Sequence, residues 1–451
     1  MGDDGGPRTD YGGPEGESNG PEGDSSGLAG DGSGPERNGS GSEGTGSGPG
    51  GGPRCGTLLR DARRLLPRIT AVRREIHRAP ELGTALPRTQ QTVLRELSGL
   101  PLTVTTGDRL TSVTATLTGT RPGRTVLLRA DMDALPQTEE TGLDFASRTP
   151  GVMHACGHDT HTAMLLGAAH LLAARRERLA GRVVFMFQPA EEICGGAQPM
   201  IEEGVLETPD GSAVDAAFAL HITTRHPSGT VHLRPGPQSA AADMLAITVH
   251  GRGAHAAAPQ RGLDPVPVAC EIVQALQTMV TRTVDVFEPA VLTVTRVTAG
   301  TASNIIPDTA EITGTFRTLS DATRKKVRDG IVRVADGVAA AHGLTADVEL
   351  PDVTPVVAND PGFTGLVTRA ATDLLGPGQV QLLPHPIMAA EDFAFVLERV
   401  PGAMAFLGAC PPGQPPGQAP DNHSSRVVHD EQALAVGAAV HGAVALSYLT
   451  A

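Results

Sequence analysis

The sequence predicts an α/β fold, a mostly parallel mixed sheet flanked by helices and interrupted by a smaller α+β insert. Three observations carry this. Apolar runs at 125–130, 182–187 and 216–220 are short and almost unbroken, the mark of strands buried on both faces. Each run delivers polar groups: Asp131 and Asp133, then Glu191 and Glu192, then His221. Open α/β sheets bind ligands at such strand ends. From about Ala241 the order becomes strand-helix-strand-strand-helix-strand, a split βαβ module.

Composition narrows the function. The 451 residues allow two or three domains. Aromatic content is 3% with no Trp, so the core must be aliphatic. A net charge of -14 without a basic block argues against a nucleic-acid partner or an anionic membrane surface. No apolar run reaches the ~20 residues of a membrane span. The only lysines are Lys325 and Lys326, which excludes a Schiff-base or phosphate-loop lysine elsewhere. Cys55, Cys156, Cys194, Cys270 and Cys410 are odd in number and scattered, which fits a reducing, cytoplasmic setting rather than a disulfide framework.

In chain order, residues 1–56 read as a disordered acidic tail, rich in Gly, Ser and Pro and too poor in apolar groups to offset ordering entropy. They lack the basic and apolar regions of a signal peptide. Residues 57–240 form the first part of a catalytic domain. Helical spacing runs through 58–82 until Pro80 and Gly83 stop it, and His77 there is either functional or a cap. A helix at 87–97 and alternating strands at 102–106 and 112–118 precede the first buried strand. After Asp131 and Asp133 comes a cluster of three histidines, a cysteine and an aspartate within 153–161. Cys156 and His158, two apart, can point at one centre. Thiolate plus imidazole suits zinc, or manganese, cobalt or nickel when carboxylates complete the shell. A helix is expected over 162–174, capped by Asp159 or Thr160. Glu191 and Glu192 are adjacent and need separate roles, since like charges on one cation would compete.

Residues 241–353 are the inserted module, with strands at 243–250, 290–298, 310–317 and 344–350, and helices at 265–281 and 322–342. Residues 354–451 return to the catalytic domain. They supply a helix at 361–375, the segment 388–395, a strand at 403–407, a Pro/Gly loop at 411–420 and a last helix at 431–448.

The blocks Arg129-Ala-Asp-Met-Asp-Ala-Leu-Pro136, Met153-His-Ala-Cys-Gly-His-Asp159, Phe187-Gln-Pro-Ala-Glu-Glu192 and Gly251 to Pro259 resemble the metal-dependent amidohydrolases of the aminoacylase and carboxypeptidase superfamily. The resemblance is to the branch of hippurate hydrolases, N-acyl-amino-acid amidohydrolases and indoleacetyl-amino-acid hydrolases. It runs from about Leu58 to the C-terminus. It implies a zinc-peptidase-like catalytic domain carrying a ferredoxin-like lid and dimerisation domain. It implies Cys156, His158, Glu192, His221 and His423 as metal ligands and Glu191 as general base. His255 would steady the oxyanion in the partner subunit's site, and Asn304 and Arg317 would grip the substrate carboxylate. One or two divalent ions (Mn²⁺ or Zn²⁺, with Co²⁺ or Ni²⁺ as alternatives) and a homodimer through the insert are further implications. Ala389-Ala390 stand where the family commonly has Gly-Ser. Ser425 and Val427 or Val428 replace its usual Pro and Phe.

The expected chemistry is hydrolysis of an N-acyl amino acid (acetyl, benzoyl, indoleacetyl or similar) by water whose pKa the metal lowers to about 7, with Glu191 moving the proton. Rival expectations are a dipeptidase or carboxypeptidase, an N-acetyl-diaminopimelate-type deacetylase, or an inactive metal-binding regulator. His154 and His161 would support the ligands, and Asp131 and Asp133 would be structural or supporting. His170, His226, His232, His250, His342, His385, His429 and His441 are expected only to pack or to face solvent.

Overall fold

The computed structural model describes residues 57–450, so the expected tail at 1–56 lies outside the described residues. An eight-stranded sheet organises the catalytic part. Its central strands are Arg121–Asp131, Ala180–Gln188, Ala216–Pro227 and Gly402–Cys410, running parallel to their neighbours among these four. Val113–Thr118 pairs antiparallel with Ala180–Gln188, and Thr103–Thr106 forms one edge. Val231–Leu233 and Val380–Leu382 extend the other side. Both are three-residue strands, and neither is among the sequence expectations.

The alternation of side chains divides the core in two. Val126, Leu128, Phe185, Phe187 and Phe218 face the helices Leu58–Arg78, His158–Ala173 and Ala433–Leu449. Leu127, Val184, Met186, Ala217 and Ala219 face the opposite layer, with Phe393, Met404 and Phe406. The first helix buries Leu58, Ala62, Ile69, Val72 and Ile76, one stripe at helical spacing. Register brings the functional strand ends level: Asp131 pairs with Gln188, Arg129 with Ala219, and Phe406 with His221.

The insert is a separate antiparallel sheet in the order Ala290–Ala299, Thr309–Thr318, Ala241–His250, Thr345–Glu349, with Asp352–Thr354 also on the Ala241 strand. This is the ferredoxin-like strand order. Its own core joins Leu245, Ile247 and Val249 to the helices Pro265–Thr283 and Asp321–Ala341. Asp264 starts the first of these by accepting from the Val266 N–H at 3.0 Å, with Pro265 at the first helical position.

Two expectations are corrected. The helix placed from Thr162 begins at His158, and neither Asp159 nor Thr160 caps it by a side-chain bond. Gly157 stands at its N-cap with φ 90°, and a Cβ there would lie 2.5 Å from Ile222 Cγ2, so the tight left-handed entry suits glycine alone. The strand expected at 216–220, with His221 just beyond it, runs on as Ala216–Pro227, so His221 lies inside the strand.

Candidate active site

The site is built where the strand ends meet the Gly157 turn. Cys156 Sγ lies 3.4 Å from His221 Nε2. His221 donates Nδ1–H to the Ile222 carbonyl at 2.8 Å, which leaves the Nε2 lone pair facing the thiol. Burial first, and then His161, holds His221 well below the ordinary imidazole range. His158 Nε2 is 3.7 Å from Glu192 Oε1 and 3.8 Å from Glu191 Oε2, and His423 Nε2 is 3.5 Å from Glu192 Oε2. The donor atoms of Cys156, His158 and His221, and those of Cys156, Glu192 and His423, fall within 4.8 Å of one another.

The local backbone is set for this convergence. Ala190, just before the glutamates, has φ 64°, and His423 has φ 69°. Strained backbone of this kind persists where its surroundings over-determine it. Asp133 accepts the N–H groups of Glu191 at 3.0 Å and Glu192 at 3.1 Å, fixing both carboxylates on one turn. His423 N–H bonds Ala155 O at 2.8 Å, and Asn422 Nδ2 bonds Cys156 O at 2.8 Å and Ile222 O at 3.0 Å. His161 donates to Asp131 at 2.5 Å and accepts the Ile222 N–H at 2.7 Å. Asp133 and His161 therefore support the cluster from behind.

The donor set fits a divalent cation. His158 is fully buried, yet among the described residues neither ring nitrogen has a hydrogen-bond partner, and Glu192 Oε1 has none either. Buried polar atoms are rarely left so. A thiol, imidazoles and carboxylates are the borderline set that zinc or manganese takes. Burial pushes the Glu191 carboxyl well above its ordinary value, and Glu391 pushes it further against the pull of His158. A buried carboxylate with raised proton affinity beside a cluster of metal donors is a candidate general base.

Behind the cluster, Arg129 is 1% exposed. It donates to Gln188 at 3.0 Å, Asp131 at 2.7 Å, Glu391 at 2.8 Å and Asp392 at 3.2 Å. Sequence reasoning missed this residue as a site component. The available signal was an arginine inside the buried run 125–130, which demands acidic partners.

A second brace secures the His158 helix. Asp159 accepts from Arg73 Nε at 2.7 Å and from His77 Nδ1 at 2.9 Å. His77 Nε2 lies 3.3 Å from Glu139, so His77 is a buried link rather than a cap. Burial pulls His77 down, but Asp159 and Glu139 outweigh it and leave it above its ordinary 6.5. Burial pushes Glu139 up, but His77, Ser147 and Thr141 reverse this and lower it from 4.5 to about 2. The stability Glu139 contributes is therefore complete above about pH 4.5 and lost as pH falls toward 2, with His77 protonated throughout that window. Glu139→Gln is expected to be less stable than the parent at pH 7, with the gap closing between pH 4.5 and 2. Urea unfolding across that range checks it, and a gap independent of pH would contradict the assignment.

A cleft of about 680 Å³ opens over the cluster, lined by Cys156, Glu191, Glu192, His221 and His423 and, from the insert, by Arg317. His255 and Asn304 do not line it. They sit together on the insert, where strand Ala254–His255 pairs with Ile305–Ile306 and Ala256 N–H bonds Asn304 O at 3.0 Å. His226, expected only to pack or face solvent, lines the cleft and stacks on His232 with ring centroids 3.6 Å apart.

Comparison with known proteins shows the family and the fold. A family model described as "Peptidase family M20/M25/M40" matches residues 127–447. The chain is 39% identical over 395 residues to thermostable carboxypeptidase 1 of Saccharolobus solfataricus, covering 87% of this chain and 98% of that protein. It is 40% identical over 341 residues to N-acetyl-L-cysteine deacetylase of Bacillus subtilis, covering 75% and 80% respectively. A crystal structure of a dinuclear metal-binding peptidase from Bacillus subtilis superposes with a TM-score of 0.74 at 35% identity, over 86% of this chain and 99% of that one.

Proposed function

From a chain that belongs to peptidase family M20/M25/M40, and is thus a hydrolase, we propose an amidohydrolase that cleaves N-acyl amino acids to a carboxylate and a free amino acid. The observation that carries the reading is one cleft lined by four metal-donor residues, Cys156, Glu192, His221 and His423, with His158 buried against them and Glu191 as a further carboxylate. Cys156, His158, Glu192, His221 and His423 would hold one or two divalent ions, which when bound polarise the amide carbonyl and acidify water. Glu191 takes the proton of the attacking water and returns it to the leaving amine. Asp133 keeps Glu191 aimed through its backbone N–H. Arg317, with Nη1 buried and unpaired among the described residues, receives the substrate carboxylate. His255 and Asn304 act from the insert, His255 in the partner's site of a homodimer. In support, strand Ala290–Ala299 is an edge of the insert sheet with Val291 and Val297 exposed. We assign the insert to 241–353, between catalytic segments 57–240 and 354–451. The cytoplasm suits the free thiols Cys156, Cys194, Cys270 and Cys410. No helix among the described residues is long and apolar enough to cross a membrane.

The likeness to a carboxypeptidase keeps peptide hydrolysis as the second reading. Both are tested by metal analysis of the purified protein and by turnover of N-acetyl, N-benzoyl and indoleacetyl amino acids and of dipeptides, before and after chelation. N-acyl amino acid turnover is expected to vanish with chelator and return with Mn²⁺ or Zn²⁺. Turnover of dipeptides alone would select the second reading. A protein that takes up no metal under any loading condition would overturn the site.

A further inference from the structure

One wall of the cleft is left unused by this chemistry. It forms where the chain crosses into the insert. Arg317 pairs with Ala242, Thr354 also pairs with Ala242, and Val357 pairs with Ser239. Ser239, Ala242, Arg317 and Val353 consequently line the same cleft. Ser239 is 1% exposed, and its hydroxyl has no hydrogen-bond partner among the described residues. A buried, unpaired hydroxyl on a residue that lines a cavity is a candidate partner for a ligand atom.

The charges around it restrict that atom. The cleft is also lined by the acidic Glu191, Glu192 and Glu391. Arg225, the other guanidinium lining the cleft, is engaged by Asp421 at 2.5 Å. An anionic substrate end is repelled by the glutamates and is matched at Arg317. A carboxylate offers about four acceptor sites, so donors from Arg317 and Asn304 still leave room for a hydroxyl.

We propose that Ser239 is a specificity residue, donating its hydroxyl to the free carboxylate of the substrate amino acid beside Arg317. This rests on the N-acyl amino acid reading and adds the way the enzyme prefers an acid to its neutral analogue. A hydrogen bond to a charged group is worth about a factor of ten or more, so its loss is readable in KM.

The test uses the full-length, metal-loaded protein and the N-acyl amino acid it turns over best, with the corresponding carboxamide as the neutral substrate. Ser239→Ala is expected to raise KM for the acid about tenfold, with kcat little changed, KM for the carboxamide little changed and the melting temperature not lowered. The acid-over-amide preference therefore falls. An unaltered preference, or equal losses on both substrates with a lowered melting temperature, would overturn the role of Ser239 alone. No turnover of any N-acyl amino acid by the parent enzyme would overturn the amidohydrolase reading and Ser239's role together.

Discussion

Replacing Glu191 by glutamine is expected to lower kcat by about 10²–10⁴-fold, the usual worth of a positioned proton-transfer group. The change is nearly isosteric. The backbone at 191 is held independently of the side chain by Asp133 and follows the φ 64° turn at Ala190, so the fold should be unaffected. Glu191 is buried beside Glu391, and both features raise its proton affinity above that of an ordinary carboxylate. A glutamine amide has no such affinity, and the water proton then has nowhere to go. Bound metal, melting temperature and KM should stay near those of the parent while kcat collapses. Near-normal kcat with full metal occupancy would remove Glu191 as the base.

Arg129→Met is expected to destabilise the protein by about 3–5 kcal/mol, the cost of leaving buried charges without their partner. Asp131, Glu391 and Asp392 all lean on this one guanidinium, and Asp131 and Asp392 are 0% exposed. Methionine fills the volume but neutralises none of them. Desolvation then drives protons onto the carboxylates or opens the strand ends. The denaturation midpoint of the variant at pH 7 gives the answer. A loss below about 1 kcal/mol would mean that the three acids tolerate burial without a cation.

The frame of the fold was legible because its central strands are uniform apolar runs and its helices carry apolar stripes at helical spacing. Alternation marked even the exposed edge strand at 103–106, whereas 231–233 and 380–382 were not placed, being only three residues long and too short to show a period. The start of the His158 helix was misplaced because polar residues at 158–161 read as capping groups, whereas they are buried by partners distant in sequence: Asp131 for His161, Arg73 and His77 for Asp159. The donor cluster was readable since Cys156 and His158 sit close together and the glutamates and His221 come directly after short apolar runs. Ser239 was not, because a lone serine shows nothing until its surroundings are known, and Arg129 was signalled only by its place inside a buried apolar run.

The attachment of Asn422 to Cys156 O and Ile222 O, and of His423 to Ala155 O, has a consequence for biosynthesis. Asn422 and Cys156 lie 266 positions apart, so this corner of the cleft closes only when a segment made well after the Cys156 turn docks back onto it. Domains generally fold as they emerge, N-terminal parts first. While the intervening residues are being made, the nascent chain therefore holds Cys156, His158, Glu192 and His221 without His423. The cluster of candidate donors is completed only once the 421–423 segment has been delivered.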